Sequence, residues 1–227
     1  MYLKNKFKNL IKISLSPLGT RFTLLRKKVF NKNLRTKYIF QDYFIRTKSI
    51  YIHIPKTAGT SISSAIYGKD PWHHRIRDFE KIDKMKLDQF FKFAFVREPS
   101  ARLLSTYNYA LSENSKRPGH ILSFCAEYKN FDDFVNKWLS KKNIYSHYFF
   151  WPQAEYLLDS NKNLNLNFIG KFENLHEDFN VLCEKLNLET ELPRLNVSKN
   201  RSKQEISNLT LEKIKLVYSD DYKLFNY

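Results

Sequence analysis

Cysteine and glycine are both scarce in this sequence. The two cysteines, Cys125 and Cys183, lie far apart and match no metal-ligand or redox spacing. This argues against a disulfide framework and predicts two reduced thiols, as is typical of a cytosolic protein. Glycine occurs only five times in 227 residues, whereas 19 Phe, 14 Tyr and 3 Trp supply many large side chains. This composition argues against propeller or collagen-like repeats and predicts one domain of ordinary size with a substantial core.

Long apolar runs and N-terminal acidic residues are also missing. No run of 18 apolar residues occurs, so we expect neither a membrane-spanning helix nor an ordinary signal peptide. Residues 1–50 contain 13 Lys and Arg but a single acid, Asp42, so most of the formal charge of +16 lies there. Such a segment suits either a helix on an anionic membrane surface or a solvated basic tail. Nucleic-acid binding is not expected, because no nucleic-acid motif accompanies the charge.

A strand, a short loop and a helix are predicted in succession after the basic segment. Residues 49–54 form a short, β-branched apolar run, which is typical of a buried strand. Pro55 and a turn of small residues follow. Residues 61–67 then carry apolar side chains at helical spacing, and Thr60 or Ser61 could cap the start of this helix.

The same succession occurs a second time. Residues 91–96 predict a strand, residues 97–99 a turn with proline near the first helical position, and residues 100–111 a helix. Residues 69–89 are polar and predict a connection with one short helix. Further predicted elements are a strand at 167–172, helices at 131–139, 154–158, 175–186, 209–217 and 220–225, and loops at 114–120 and 145–153. Repeated strand–helix units predict an α/β domain with a central, mostly parallel sheet flanked by helices.

The loop at residues 55–61 has the chemistry of an anion site. A loop between a strand and a helix presents backbone amides and the positive end of the helix dipole. Lys56 adds an ammonium and Gly59 allows close approach of the backbone, while three residues add hydroxyls: Thr57, Thr60 and Ser61. In a nucleoside-triphosphate loop the lysine follows the last glycine, whereas Lys56 precedes Gly59, and no acid in the loop could hold magnesium. Phosphate or sulfate binding without a metal is therefore predicted.

Two segments resemble a known family. The loop Ile54-Pro-Lys-Thr-Ala-Gly-Thr-Ser61 resembles the phosphosulfate-binding loop of the carbohydrate sulfotransferases of sulfotransferase family 2. That group includes bacterial capsule and glycolipid enzymes, chondroitin sulfotransferases and heparan sulfate 2-O-sulfotransferase. Residues 93–107, Phe-Ala-Phe-Val-Arg-Glu-Pro-Ser-Ala-Arg-Leu-Leu-Ser-Thr-Tyr, resemble the 3′-phosphate motif of the same family. The resemblance covers about residues 48–227, as a sulfotransferase domain with a P-loop-like three-layer fold, and leaves residues 1–47 as a basic extension.

The resemblance implies a donor and the residues that bind it. The donor is 3′-phosphoadenosine 5′-phosphosulfate (PAPS), which leaves adenosine 3′,5′-bisphosphate as product and needs no metal. Lys56 would stabilise the bridging oxygen, within a loop formed by Pro55, Lys56, Thr57, Ala58, Gly59, Thr60 and Ser61. Arg97 and Ser105 match the residues that hold the 3′-phosphate, and Lys199 and Arg201 match a loop that closes over the nucleotide. Arg102 aligns with a family position but could equally serve an internal ion pair.

One residue departs from the family pattern. Glu98 stands where the family usually has Asn or Asp, between the arginine and the proline. We expect Glu98 to be a tolerated turn substitution.

Histidine is the natural base for an acceptor hydroxyl. In the family, a histidine between the donor loop and the second strand acts as the base, and we expect His74 in this role, with His73 as the alternative. A surface histidine pair without function is also open, and His53 reads as a packed strand residue. The aromatic loop at residues 145–153 resembles the family's acceptor side, so we expect acceptor contacts from His147, Trp151 and Gln153, unless these are plain core residues.

Two other functions remain open at this point. A nucleotide-dependent kinase or phosphotransferase could use the same architecture, although it would need magnesium. A noncatalytic module could bind anionic glycans or membranes through the basic N-terminal segment. For a sulfotransferase we expect a polysaccharide, oligosaccharide or glycolipid acceptor, and a cytoplasmic location with the basic segment at the inner face of the membrane. The sugar, the hydroxyl and the oligomeric state are left open by the sequence.

Overall fold

The computed structural model describes residues 39–112, 122–193 and 206–227. Within the chain, Gln41–Tyr227 forms one compact unit. The predicted loop at 114–120, most of the basic extension, and Lys199 and Arg201 lie outside the described residues. The predicted domain boundary between residues 47 and 48 stays a prediction.

A parallel sheet lies at the centre of this unit. Its strands are β1 (Ser49–Ile52), β2 (Phe91–Val96) and β3 (Phe168–Lys171), in the spatial order β1-β2-β3. Both pairings are parallel, with Tyr51 opposite Phe93 and Phe93 opposite Phe168. Nearly all of β1 and β2 is buried, as expected for parallel strands covered on both faces. The predicted α/β class with a parallel central sheet is confirmed.

Helices flank the sheet. In the described chain they are α1 (Asp42–Thr47), α2 (Gly59–Tyr67), α3 (Ile76–Asp88), α4 (Pro99–Ala110), α5 (Phe131–Trp138), α6 (Ala154–Leu157), α7 (Leu175–Leu186), α8 (Asn208–Val217) and α9 (Ser219–Phe225). The expected short helix of the first connection is α3, which has 13 residues and is interrupted by a non-helical Asp83. Over the described ranges, no helix combines the length and apolar character that crossing a membrane requires.

The starts of two helices position the candidate site. Helix α2 begins at Gly59, with Ala58 before it in a left-handed conformation and no side-chain cap. The predicted cap by Thr60 or Ser61 is therefore wrong, because both residues already lie inside the helix. Helix α4 begins at Pro99, one residue before the predicted start, and Glu98 caps it by accepting a hydrogen bond from the backbone N–H of Ala101 (2.7 Å).

An apolar cluster packs beneath the aromatic loop. It joins helices α4, α5 and α8, and its largest buried side chains are Tyr107, Phe131, Phe134, Phe150 and Tyr218. Ring pairs within it lie 5.2–6.4 Å apart, which is the range for favourable aromatic contacts. Cys125 belongs to this cluster. Both Cys125 and Cys183 are free thiols, as predicted, and the structure buries both.

Candidate active site

The loop between β1 and α2 has the backbone shape of an anion cradle. Lys56 and Ala58 both adopt left-handed conformations, with φ of 72° and 64°. Each such non-glycine residue costs on the order of 1–3 kcal/mol and is typical of functional sites. The first backbone hydrogen bonds of α2 run from Ser61 N–H and Ile62 N–H to the Ala58 carbonyl. The positive end of the helix dipole therefore faces the loop.

Lys56 and Arg97 bring the two family motifs together. The Arg97 guanidinium donates a hydrogen bond from Nη1 to the Lys56 carbonyl oxygen (3.3 Å). The Lys56 ammonium lies over the Tyr109 ring, 4.4 Å from its centroid. Burial, and secondly the positive charge of Arg97, lower the pKa of Lys56 to about 8. Two cations held this close form a region of positive potential that an anion would neutralise.

The hydroxyls of the loop are not equally available. The Thr57 side chain is fully buried and donates to the Ile54 carbonyl oxygen (2.9 Å). The predicted use of the Thr57 hydroxyl on an anion is therefore corrected: it braces the loop from beneath. Ser61 is nearly buried at the start of α2, whereas Thr60 is exposed.

Gly59 is required by a neighbour as well as by its place in the loop. A Cβ atom at this position would lie only 1.8 Å from Nε2 of His53. The His53 ring thus occupies the space that any other residue type would need. His53 is buried, as the sequence indicated, and its Nδ1 lies 3.1 Å from Oδ1 of Asp70.

Asp70 fixes the turn that carries the two candidate base residues. Its Oδ1 also accepts a hydrogen bond from the backbone N–H of Trp72 (2.9 Å), and Trp72 adopts a left-handed φ of 61°. The hydrogen bond from His53 is the main reason why the pKa of Asp70 is lowered to about 2. Asp70 is therefore ionised at neutral pH and stabilises an otherwise unfavourable backbone conformation immediately before His73.

The structure separates His73 from His74. Nδ1 of His73 lies 2.8 Å from the carbonyl oxygen of His53, and the His73 ring contacts the rings of Tyr148 and Phe149. The ring of His74 instead packs edge-on against Phe79 of α3.

His73 is linked to Lys56 through two aromatic rings. Phe149 contacts His73 and stacks on Tyr109 at 5.4 Å, and Tyr109 carries the Lys56 ammonium. His73, rather than His74, therefore shares a cluster with the lysine.

A cleft beside Arg97 could receive the rest of a nucleotide. It has a volume of about 630 Å³ and is lined by Arg97, Ala101, Phe172, Glu173, Leu175, His176 and Glu177. The Arg97 guanidinium lies 4.0 Å from the centroid of the Phe172 ring. Ser105 is partly buried and follows Ala101 by four residues in α4, so both share one helix face. Ser105 therefore lies on the face of α4 that meets the cleft.

Gln153 does not have the role that the sequence indicated. It is fully buried, its Oε1 accepts from the Arg97 N–H (2.9 Å), and its Nε2 donates to the Arg97 carbonyl (2.7 Å). The predicted acceptor contact is wrong, because the side-chain amide is bonded to the Arg97 backbone and has no surface to offer.

The other two predicted acceptor residues differ in exposure. Trp151 is partly exposed, donates from Nε1 to the Tyr145 carbonyl, and has the Arg75 guanidinium over its ring at 5.2 Å. His147 is only 9% exposed and stacks on Phe149 at 5.5 Å. Trp151 therefore offers an aromatic surface, whereas His147 mainly supports the loop.

Several residues of the site have no role that the sequence predicted. Trp72 is 48% exposed and directly precedes the histidine pair. Its position beside a candidate base was the feature of the sequence that could have indicated a role at the site. Tyr109 contacts the Lys56 ammonium and Phe172 the Arg97 guanidinium. Nothing in the sequence indicated these two contacts, since each depends on the tertiary fold.

Arg102 has an internal role. It is almost fully buried and donates to the carbonyl oxygens of Phe149 (3.2 Å) and Trp151 (2.6 Å). It therefore holds the aromatic loop in place rather than facing a ligand.

Glu98 also has partners within the fold. Besides capping α4, its carboxylate accepts hydrogen bonds from the hydroxyls of Ser100 (2.6 Å) and Tyr222. The glutamate at this turn is accommodated by the C-terminal helix.

Comparison with known proteins agrees with this geometry. The model of the Sulfotransferase family matches residues 42–227 of the chain. Searches of curated proteins and of solved structures found no match. In the part of the chain that the structure describes, no group of three or more His, Cys, Asp or Glu side chains could hold a metal ion. With a matching family model over most of its length and a parallel α/β fold, the chain belongs to the sulfotransferase family and has its general activity, the transfer of a sulfuryl group.

Proposed function

We propose that this sulfotransferase transfers the sulfuryl group of PAPS to a hydroxyl of a carbohydrate. The observation that carries the proposal is the hydrogen bond from the Arg97 guanidinium to the Lys56 carbonyl oxygen. It joins the loop suited to a phosphosulfate with the turn suited to a 3′-phosphate. PAPS is a donor that carries both groups on one nucleotide.

The residues present fit such a donor. Loop amides, the start of α2 and the Lys56 ammonium suit the phosphosulfate. Burial, and secondly the charge of Arg97, lower the pKa of Lys56, and a bound anion would stabilise its charged form. Arg97 and the face of α4 that carries Ser105 suit the 3′-phosphate, since a guanidinium binds phosphate through two parallel hydrogen bonds. The neighbouring cleft has room for a nucleotide.

The reaction is an in-line displacement at sulfur. The acceptor oxygen forms a new bond to sulfur while the bond from sulfur to the bridging oxygen breaks, which releases adenosine 3′,5′-bisphosphate. The proton of the acceptor hydroxyl passes to Nε2 of His73, because Nδ1 of His73 is engaged by a carbonyl oxygen. The Lys56 ammonium stabilises the charge that develops on the leaving phosphate.

A carbohydrate acceptor is supported by the aromatic surfaces near His73. Trp72 is half-exposed beside it, and Trp151 is partly exposed on the aromatic loop. Flat aromatic faces suit the apolar faces of sugar rings. Polysaccharide, oligosaccharide and glycolipid acceptors all share this chemistry. We further propose a cytoplasmic location, with the basic N-terminal segment at an anionic membrane surface.

Nucleotide binding tests the donor. Calorimetry should show micromolar binding of adenosine 3′,5′-bisphosphate that is unchanged by magnesium or by a chelator. Exclusive binding of ATP with magnesium would instead favour a kinase and overturn the proposal.

The acceptor is tested separately, with a panel of neutral and anionic glycans. Each glycan is incubated with sulfur-labelled PAPS, and the product is located by mass spectrometry. Label on a sugar hydroxyl is the expected result. Labelling of proteins or lipids without a sugar would contradict the carbohydrate assignment.

A further inference from the structure

We propose that Gln153 and Asp221 are positioning residues, which set the direction of Arg97 toward the 3′-phosphate of the donor. The C-terminal helix α9, which carries Asp221, then belongs to the donor site although it contributes no ligand to it. This inference rests on the proposed function, in which Arg97 recognises the 3′-phosphate.

Gln153 contacts the turn that follows β2. Arg97 is the first residue after this strand, and both its backbone N–H and its carbonyl bond to the Gln153 side chain, at 2.9 and 2.7 Å. The side-chain amide thus makes the pair of hydrogen bonds that a neighbouring strand would make with this residue. Because the N–H and the carbonyl of Arg97 both bond to one planar amide, the backbone of Arg97 is held at two points rather than one.

The carboxylate of Asp221 in turn holds Gln153. Asp221 is fully buried, and its two oxygens accept hydrogen bonds from the backbone N–H groups of Gln153 (2.8 Å) and Ala154 (2.9 Å). Burial raises the pKa of Asp221, whereas the positive charge of buried Arg102 opposes this. The two N–H hydrogen bonds and the charge of Arg102 offset the cost of burying this carboxylate, so Asp221 holds the backbone of Gln153 and Ala154 in place.

A second tie from the same helix reaches the next residue of the turn. The Tyr222 hydroxyl, one residue after Asp221, donates to the carboxylate of Glu98. Helix α9 therefore holds two consecutive residues of the turn, Arg97 through Gln153 and Glu98 directly.

The direction of the turn matters because the Arg97 side chain is long. From this backbone position its guanidinium reaches both the Lys56 carbonyl and the face of Phe172. A rotation of the Arg97 peptide would move the guanidinium away from the loop and the cleft together. Loss of the Gln153 amide should therefore weaken recognition of a 3′-phosphate specifically.

The test compares adenosine 3′,5′-bisphosphate with adenosine 5′-phosphate, which lacks the 3′-phosphate. Dissociation constants are measured by calorimetry for the wild-type full chain, Gln153→Met and Asp221→Asn. We expect Gln153→Met to weaken bisphosphate binding about tenfold, the scale of one lost hydrogen bond to a charged group, and Asp221→Asn to weaken it somewhat less. Binding of adenosine 5′-phosphate should change by less than about twofold.

Controls separate positioning from loss of stability. Val135→Ala, in the buried cluster beneath the aromatic loop, should lower the melting temperature but leave the ratio of the two dissociation constants unchanged. Arg97→Ala combined with Asp221→Asn should show the same ratio as Arg97→Ala alone. If Gln153→Met does not fold, Asp221→Asn and this double variant decide the question.

Two results would overturn the inference. Equal weakening of both nucleotides would show a merely structural role, and unchanged dissociation constants for both nucleotides in folded variants would show none. If the wild-type chain does not prefer the bisphosphate, the donor assignment itself is wrong. A preference that only the Arg97 variant removes would leave the proposed function standing and reject the role of Gln153.

Discussion

Nδ1 of His73 lies 2.8 Å from the backbone carbonyl oxygen of His53, and this contact determines which nitrogen of His73 can act as a base. A carbonyl oxygen only accepts hydrogen bonds, so Nδ1 carries the proton and Nε2 carries the lone pair. Burial, and secondly the charge of His53, lower the pKa of His73 to about 3, which keeps its ring neutral at physiological pH. A bound anionic donor would raise this pKa toward the range useful for catalysis.

Replacement of the two neighbouring histidines should therefore have unequal effects. We expect His73→Ala to lower kcat by at least about 10²-fold, the usual contribution of a general base. His74→Ala, the matched control, should stay within about threefold of wild type, since His74 packs against Phe79. Initial rates with labelled PAPS, together with the affinity for adenosine 3′,5′-bisphosphate, check this. A larger loss in the His74 variant would reverse the assignment.

Lys56 should contribute to the rate as well as to the affinity for the nucleotide. Lys56→Ala removes a preorganised positive charge, and we expect kcat to fall by about 10²-fold or more. Lys56→Arg keeps the charge but changes its shape, so part of the activity should remain. The measurement is transfer of labelled sulfate at saturating donor. A wild-type rate in the alanine variant would remove Lys56 from the mechanism.

The affinity for the nucleotide should depend on pH through Lys56. Its pKa of about 8 means that the ammonium, which attracts the anion, is present below pH 8 and lost as the pH rises above it. Binding of adenosine 3′,5′-bisphosphate should thus weaken between pH 7 and pH 9, by up to about tenfold per pH unit above the pKa. Titration calorimetry across this range tests the trend. In Lys56→Arg the trend should disappear, because arginine stays protonated.

Gly59 should be intolerant of even a methyl group. Gly59→Ala would place Cβ 1.8 Å from His53 Nε2, so we expect a loss of about 1–3 kcal/mol in the free energy of unfolding. Urea denaturation measures this loss, with Ser64→Ala on the exposed face of α2 as the control. His53→Ala combined with Gly59→Ala should cost less than the sum of the single changes. Strict additivity would show that the two residues do not compete for space.

Much of the fold could be predicted because its signals are local. The bounds of β2 and α7 agree with the prediction to the residue, because a short apolar run marks the strand and helical spacing of apolar residues marks the helix. Helix α1 was not predicted: it has only six residues within a basic stretch, and packing buries its Tyr43 and Phe44. Helix α3 was predicted too short, because its sequence is largely polar and charged.

The sequence also predicted that Lys56 and Arg97 lie near helix starts, because the strand, the turn and the helix follow one another directly along the chain. Contacts between distant segments account for the rest of the site. Gln153 lies 56 residues from Arg97, and only the packed fold makes it a buried partner of that backbone instead of an acceptor contact. His73 and His74 are adjacent and identical in type, so their different surroundings follow from the turn held by Asp70. Burial and hydrogen-bond partners depend on which residues are neighbours in three dimensions. The local order of residue types along the chain does not specify these neighbours.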